Sequence, residues 1–164
     1  MSENEPIQRE ELPCGVLFVG AGPATLSAAI RLMDLIAKHN QAIEQGAPGA
    51  KIDTDENPVF MIEKASEVGD HNMSGAILDP RALKELLPDF ESMDPPPPFE
   101  GHATDDSLVL MLEGGGSVTA PITPPTFQNH GNYITSLNRF VKWMAALAES
   151  KGVQILPNFP GAEV

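Results

Sequence analysis

The apolar positions of this chain fall into a small number of patterned stretches, and their order at the amino end is strand, helix, strand. Val16-Leu17-Phe18-Val19 is a continuous apolar run that follows Gly15 and stops at Gly20. A short run without alternation predicts a strand buried on both faces. Leu26, Ile30, Met33 and Ala37 then recur at helical spacing, and Ala28, Ala29, Leu32 and Ile36 widen the stripe. Pro23 suits the first turn of that helix, where a missing N–H costs nothing. The pattern fades near His39-Asn40, and residues 40–57, with Gly46, Pro48 and Gly49, read as helix tail plus exposed loop. Val59-Phe60-Met61-Ile62, closed by Glu63, is a second strand. The opening is a βαβ unit with a glycine turn after its first strand.

Further along, Asp79-Pro80 followed by Leu83, Leu86 and Leu87 predicts a short capped helix stopped by Pro88. Pro95 to Pro98 reads as a stiff connector. Ser107–Glu113 and Ser117–Ile122 form a candidate hairpin across Gly114-Gly115-Gly116. Ser136 is placed to cap an amphipathic helix with Leu137, Phe140, Val141, Met144, Leu147 and Ala148 on one face, ended by Gly152. Val153 to Leu156 starts another strand. The predicted class is α/β. Residues 1–14 read as a polar tail and 15–164 as the folded part.

Composition narrows the function classes. A net charge of −13 is repelled by phosphate backbones and argues against nucleic acid as a partner. One cysteine, Cys14, excludes an intramolecular disulfide and cannot alone ligate an iron–sulfur cluster; its place before the first strand suggests a small residue at the core edge. The histidines, His39, His71, His102 and His130, match no zinc or haem spacing. No stretch is long and apolar enough for a transmembrane helix, and the amino end lacks the pattern of a signal or transit peptide. No residue stands out as a catalytic nucleophile or a metal ligand.

The candidate chemistry lies in the glycine turn, Gly20-Ala21-Gly22-Pro23-Ala24-Thr25. Gly20 allows the tight turn, and Gly22 lets backbone amides approach a pyrophosphate at the positive end of the helix. The third glycine position of this fingerprint holds Thr25, whose side chain is expected to crowd helix against strand. Glu63, at the end of the second strand, is placed to accept hydrogen bonds from ribose hydroxyls and disfavours a 2′-phosphate. It lies further from the turn than the usual ~20 residues, because residues 40–57 lengthen the connection.

Val19-Gly20-Ala21-Gly22-Pro23-Ala24 with Leu26-Ser27-Ala28-Ala29 is common to many FAD enzymes of the glutathione-reductase type. Ile62-Glu63-Lys64, Glu67-Val68-Gly69-Asp70-His71, Ser74-Gly75-Ala76, Leu78-Asp79-Pro80 and Asn129-His130-Gly131-Asn132-Tyr133-Ile134, taken in order, resemble the electron transfer flavoprotein–ubiquinone oxidoreductase family over about residues 15–164. Thr25 departs from the family's usual Gly and Asp70 from its usual Ala. The resemblance implies a Rossmann-like FAD-binding domain, incomplete, with hairpin and helix insertions. It implies FAD bound by Gly20, Gly22, Pro23, Ala24, Thr25, Glu63, Lys64, His71, Ser74, Gly75 and Ala76. It implies electron transfer flavoprotein and ubiquinone as partners, and a [4Fe–4S] cluster whose four cysteines are not in this chain.

The same resemblance places peripheral membrane contact at about residues 68–89, where Leu78, Leu83, Leu86 and Leu87 could equally be core. His71 and His130 sit in the family motifs, and hydrogen bonding to backbone is the preferred reading for them over catalysis. The implied location is the cytoplasmic face of a bacterial inner membrane, or the mitochondrial inner membrane in a eukaryote. The chain is expected to be a fragment lacking the remaining FAD, quinone-binding and iron–sulfur domains, poorly soluble and inactive toward ubiquinone alone. The competing readings are another flavoprotein of this fold, geranylgeranyl-reductase-like or a monooxygenase, and an inactive truncated product.

Overall fold

The computed structural model describes residues 11–162, so most of the predicted tail and the last two residues lie outside it. Strand β1 (Val16–Val19) leads into helix α1 (Pro23–Glu44), which crosses over to β2 (Val59–Glu63). Strand β3 (Ala76–Leu78) and the short helix α2 (Arg81–Leu86) follow, then β4 (Phe99–His102), the hairpin β5 (Val109–Met111) and β6 (Ser117–Thr119), and β7 (Tyr133–Thr135). Helix α3 (Leu137–Ser150) and β8 (Gln154–Pro157) close the described fold.

The strands form three sheets. β1, β2 and β8 are parallel, with β2 in the centre, and α1 and α3 pack on each other and on this sheet. Alternation along β2 buries Val59, Met61 and Glu63. The helices bury Leu26, Ala29, Ile30 and Met33 from α1 and Phe140, Val141, Met144, Ala145 and Ala148 from α3. The apolar stripes read from the sequence supply these buried faces, except that Ala28 and Ala37 of α1 are exposed.

The second sheet, β3-β7-β4, is antiparallel and gathers strands far apart in the chain. Phe90 at 1% exposure sets its ring edge-on to Phe99 and Tyr133, joining this sheet to the common core.

Several expectations change. β1 is not buried on both faces: Val16, Leu17 and Val19 are 37%, 50% and 49% exposed, and among the described residues β2 is its one strand neighbour. The helix tail read into residues 40–57 is there as expected: α1 ends at Glu44, and Gly46 follows with a φ of 96°. Helix-favouring Gln41, Ala42 and Glu44 carry it on. Cys14 is exposed, not at a core edge. Ser136 holds the N-cap position of α3, but its side chain makes no capping hydrogen bond. The proline stretch is tied down: the Trp143 indole N–H donates to the Pro95 carbonyl at 3.0 Å and the Thr135 hydroxyl to that of Pro98 at 2.9 Å.

The remaining elements follow their signals. The hairpin pairs Val109–Met111 with Ser117–Thr119, and Gly114 and Gly115 supply the positive φ of its turn. The Asp79 carboxylate accepts from the Arg81 amide at the start of α2. Leu83 and Leu87 are buried and Leu78 and Leu86 partly so, which makes these leucines part of the core.

Candidate functional site

The site sits at the carboxyl end of the parallel sheet. Gly20 turns the chain with a φ of 88°, a conformation that favours glycine, and its amide donates to the Ile62 carbonyl at 2.7 Å. Gly22 is the N-cap of α1, and Pro23 opens the helix. The Leu26 amide is the first to find an intrahelical acceptor, the Gly22 carbonyl. The amides of Ala24 and Thr25 are therefore left directed out of the helix end. A side chain on Gly22 would meet no atom within 4 Å, so the space above these amides is open. An open, glycine-lined helix N-terminus is a cradle for a phosphate group.

Glu63 fixes this turn from the side. It is 9% exposed; one carboxylate oxygen accepts from the Ala21 amide at 2.8 Å and the other from the Ala65 amide at 2.9 Å. Burial alone would raise its pKa, but those two amides, with the nearby His71 and Lys64 charges, outweigh it and hold the carboxyl below the usual range. Each oxygen retains a further lone pair. The carboxylate can thus brace the turn and still accept from a ligand hydroxyl.

Thr25 does not crowd the helix–strand contact. Its hydroxyl reaches back to the carbonyls of Gly20 and Gly22 and ties the turn to the first helical turn. Lys64 is exposed beside Glu63. His71 approaches Glu63 at 3.8 Å with a side chain 59% exposed, so its partner is a carboxylate and not backbone. His130 does bond backbone, with Nδ1 2.9 Å from the Thr104 carbonyl. Ser74 and Gly75 are exposed and lead into β3, where Ala76 pairs with Thr135. The contacts gather Gly20 to Thr25, Glu63 and His71 into one group; Ser74–Ala76 forms a separate stretch.

Asp70 shapes the loop that carries His71. Its carboxylate accepts from the Ser66 hydroxyl and the Glu67 amide, and Lys142 lies 3.7 Å away. Asn138 donates to the Gly69 carbonyl at 2.7 Å and Lys142 to Glu67 at 2.8 Å, so α3 pins the same loop. A charge at position 70 is satisfied locally and leaves the loop polar.

Sequence reasoning missed part of the site. A cleft of about 220 Å³ is lined by Val19, Gly20, Ile62, Glu63, Lys64, Phe159, Pro160 and Gly161. Its far wall comes from the segment after β8, held by the Phe159 amide on the Glu63 carbonyl and the Asn158 amide on that of Ala65. Asn158 adopts a φ of 63° at this clasp. No motif marks those residues; the available signal was that parallel strands end on a common edge.

Comparison with known proteins agrees with the resemblance. No protein-family model matches the chain. Electron transfer flavoprotein–ubiquinone oxidoreductase of Bos taurus, a mitochondrial protein, is 41% identical over 150 residues, covering 91% of this chain and 22% of the relative. That of Pseudomonas aeruginosa is 38% identical over 159 residues, covering 96% and 26%. The chain thus spans about a quarter of the length of the curated relatives it matches.

Among solved structures, CtdE in complex with FAD superposes with a TM-score of 0.51 at 17% identity, over 90% of this chain and 30% of that one. The tetrameric form of 2-methyl-3-hydroxypyridine-5-carboxylic acid oxygenase does so with a TM-score of 0.52 at 21% identity, over 92% and 33%. These establish the fold, a mixed α/β domain with a parallel sheet. Over nearly its whole length the chain is similar to one family of oxidoreductases, the electron transfer flavoprotein–ubiquinone oxidoreductases.

Proposed function

We propose that this chain is the FAD-binding part of an electron transfer flavoprotein–ubiquinone oxidoreductase, with residues 15–164 contributing the first part of the FAD domain. The observation that carries the reading is the Glu63 carboxylate clasped to the Ala21 amide beside an open helix N-terminus. Gly20 to Thr25 would hold the pyrophosphate, and Glu63 the adenosine ribose. Lys64 and His71 would border that ribose site, and Phe159 to Gly161 would wall the adenine. Ser74, Gly75 and Ala76 would lie toward the flavin. Bound flavin supplies the electron-carrying chemistry; the chain's own residues bind and orient it. Electron transfer flavoprotein is the donor in this reading and ubiquinone the acceptor.

The [4Fe–4S] cluster implied by the family does not fit the residues present. The sequence holds one cysteine, and among the described residues no three potential metal ligands come together.

A lipid-soluble quinone requires an approach to the membrane. Among the described residues no helix is long and apolar enough to cross one. In segment 68–89 the exposed apolar side chains are Met73 and Ile77, whereas the hairpin exposes Leu110, Met111, Leu112 and Val118, with Ile122 and Phe127 beyond it. We assign the peripheral contact to this hairpin, at the face of an energy-conserving inner membrane.

The reading is tested by titrating the chain with FAD and following quenching of flavin fluorescence. Saturable binding that Glu63→Ala weakens about 10-fold or more supports it, the loss corresponding to one charge-assisted hydrogen bond of about 1.5–3 kcal/mol. Equal affinity in wild type and variant overturns the site.

A further inference from the structure

The chain has one tyrosine and one tryptophan, and the fold connects them through stacked rings. Tyr133 on β7 stacks on Phe99 of β4 at 4.2 Å and 22°. Phe99 stacks on Phe140 of α3 at 5.9 Å and 19°, and Phe140 on Trp143 at 5.8 Å and 26°. Three elements supply this column of near-parallel rings, so it exists only in the folded chain.

Its two ends differ. Tyr133 is 8% exposed, and its hydroxyl donates to the carboxylate of Glu91, which lies on the turn after α2. Trp143 is half-buried at the other end, with its N–H on the Pro95 carbonyl. The His102 ring lies 4.3 Å from Tyr133 and tilted. An aromatic core requires packing and a partner for the hydroxyl. It does not require that partner to be an anion, nor the second oxidisable ring at the far end of the stack. A phenol gives up an electron readily only when its proton leaves at the same time, and a carboxylate seated on the hydroxyl can take it. At neutral pH a tyrosyl radical is more stable than an indolyl radical. The phenyl rings between are not oxidised themselves, but close packing gives the electron a short tunnelling path.

We propose that Tyr133 is a redox-active residue that draws one-electron oxidising equivalents away from Trp143 along this column, with Glu91 as proton acceptor. A one-electron radical oxidant takes an electron from Trp143, and the indole N–H proton leaves its Pro95 carbonyl partner for water. An electron then moves from Tyr133 through Phe99 and Phe140 to the indolyl radical. The indole nitrogen regains a proton from water, and the phenolic proton moves to Glu91. The indole is restored, and one electron and one proton have left Tyr133. The oxidant is consumed at a half-buried site, and the radical is stored where the hydroxyl is shielded. None of these residues belongs to the cofactor site.

Pulse radiolysis of the full chain with azidyl radical tests this, because the indolyl and tyrosyl radicals absorb at separate wavelengths and each has a single source. The indolyl band should decay as the tyrosyl band grows, first order and independent of protein concentration. In Tyr133→Phe the indolyl radical should persist and decay only by bimolecular reaction. In Glu91→Gln, an exposed change that leaves folding intact, transfer should slow 5-fold or more, and in Phe140→Leu it should slow as well. Tyrosyl growth that scales with protein concentration overturns the relay, as does unchanged indolyl decay in Tyr133→Phe. An unchanged rate in Glu91→Gln overturns the assignment of the proton acceptor.

Discussion

The parallel and antiparallel sheets use three strands each, yet they are held by different means and serve different ends. In the parallel sheet each neighbouring strand is reached through a helical crossover, and both helices bury a continuous stripe against it. The antiparallel sheet consists of strands of three or four residues from positions 76, 99 and 133, locked by an aromatic cluster around Phe90. The parallel layer ends its strands on a common edge, where backbone amides and one carboxylate meet. Among the described residues the antiparallel layer contributes no group to that edge. Regular crossovers expose backbone at a predictable place, and the candidate site lies there; aromatic packing fixes the rest of the domain to it.

The largest expected effect is in the antiparallel half. Phe90→Ala should cost about 3–5 kcal/mol, the range for removing a large buried aromatic. Because Phe90 shares one core with Leu26, Met61 and Val141, unfolding should remain a single transition with a lowered midpoint. Calorimetry resolving two transitions would break the claim that the two sheets share a core.

In the parallel half the test is Glu63. Glu63→Gln keeps the volume and removes the charge held by Ala21 and Ala65, for an expected loss of about 1.5–3 kcal/mol. The folded carboxyl titrates below its ordinary value. Its contribution is therefore fully present above the unfolded pKa of about 4.3 and is lost as pH falls through the lower, folded value. The glutamine variant should show a flatter dependence of stability on pH across that acid window. An unchanged acid limb would show that the amide contacts do not stabilise the charged form.

The same contrast explains what was legible in the sequence. The βαβ unit, α3 and β8 declare themselves because period and length encode them locally. The hairpin declares itself through three consecutive glycines between two short runs. β3, β4 and β7 did not: each is three or four residues long, β4 contains Gly101 at an irregularity in its pairing, and their partners lie more than thirty residues away. In the site, Gly20, Gly22 and Glu63 were readable because turn geometry and charge demand those residue types. The amides of Ala21 and Ala65 were not, since any residue could supply them, and Phe159 to Gly161 follow a strand whose neighbour sequence alone does not name. Exposure of β1 was missed because an apolar run specifies a buried strand only when both neighbours are present.

Thr25 gives a smaller and more local test. Its hydroxyl bridges to the turn carbonyls of Gly20 and Gly22. Thr25→Val keeps the shape and removes the donor, for an expected cost of about 0.5–1.5 kcal/mol. Thr25→Gly should lose that contact and add a helix penalty of about 1 kcal/mol, loosening FAD rather than tightening it. Tighter FAD binding by the glycine variant in a fluorescence titration would return the residue to the role of a steric obstacle.

The smallest effect on stability is expected where the two sheets give way to the hairpin. Leu110 is 57% exposed and packs on neither sheet's core, so Leu110→Asp should change stability by no more than about 0.5 kcal/mol, as surface substitutions generally do. Membrane affinity should respond differently. The exposed apolar side chains of the hairpin gain by leaving water at roughly 25 cal/mol per Å², and the chain's charge of −13 offers no attraction to anionic lipid in compensation. Sedimentation with neutral phosphatidylcholine vesicles should therefore show binding by the wild type that falls several-fold in the aspartate variant while the melting temperature stays put. Leu83→Asp is the contrasting case, since Leu83 is 6% exposed: it should lower the melting temperature, and the molecules that remain folded should still bind vesicles. If the aspartate at 110 leaves vesicle binding unchanged, the hairpin is not the contact, and Met73 and Ile77 in the 68–89 segment become the surface to vary.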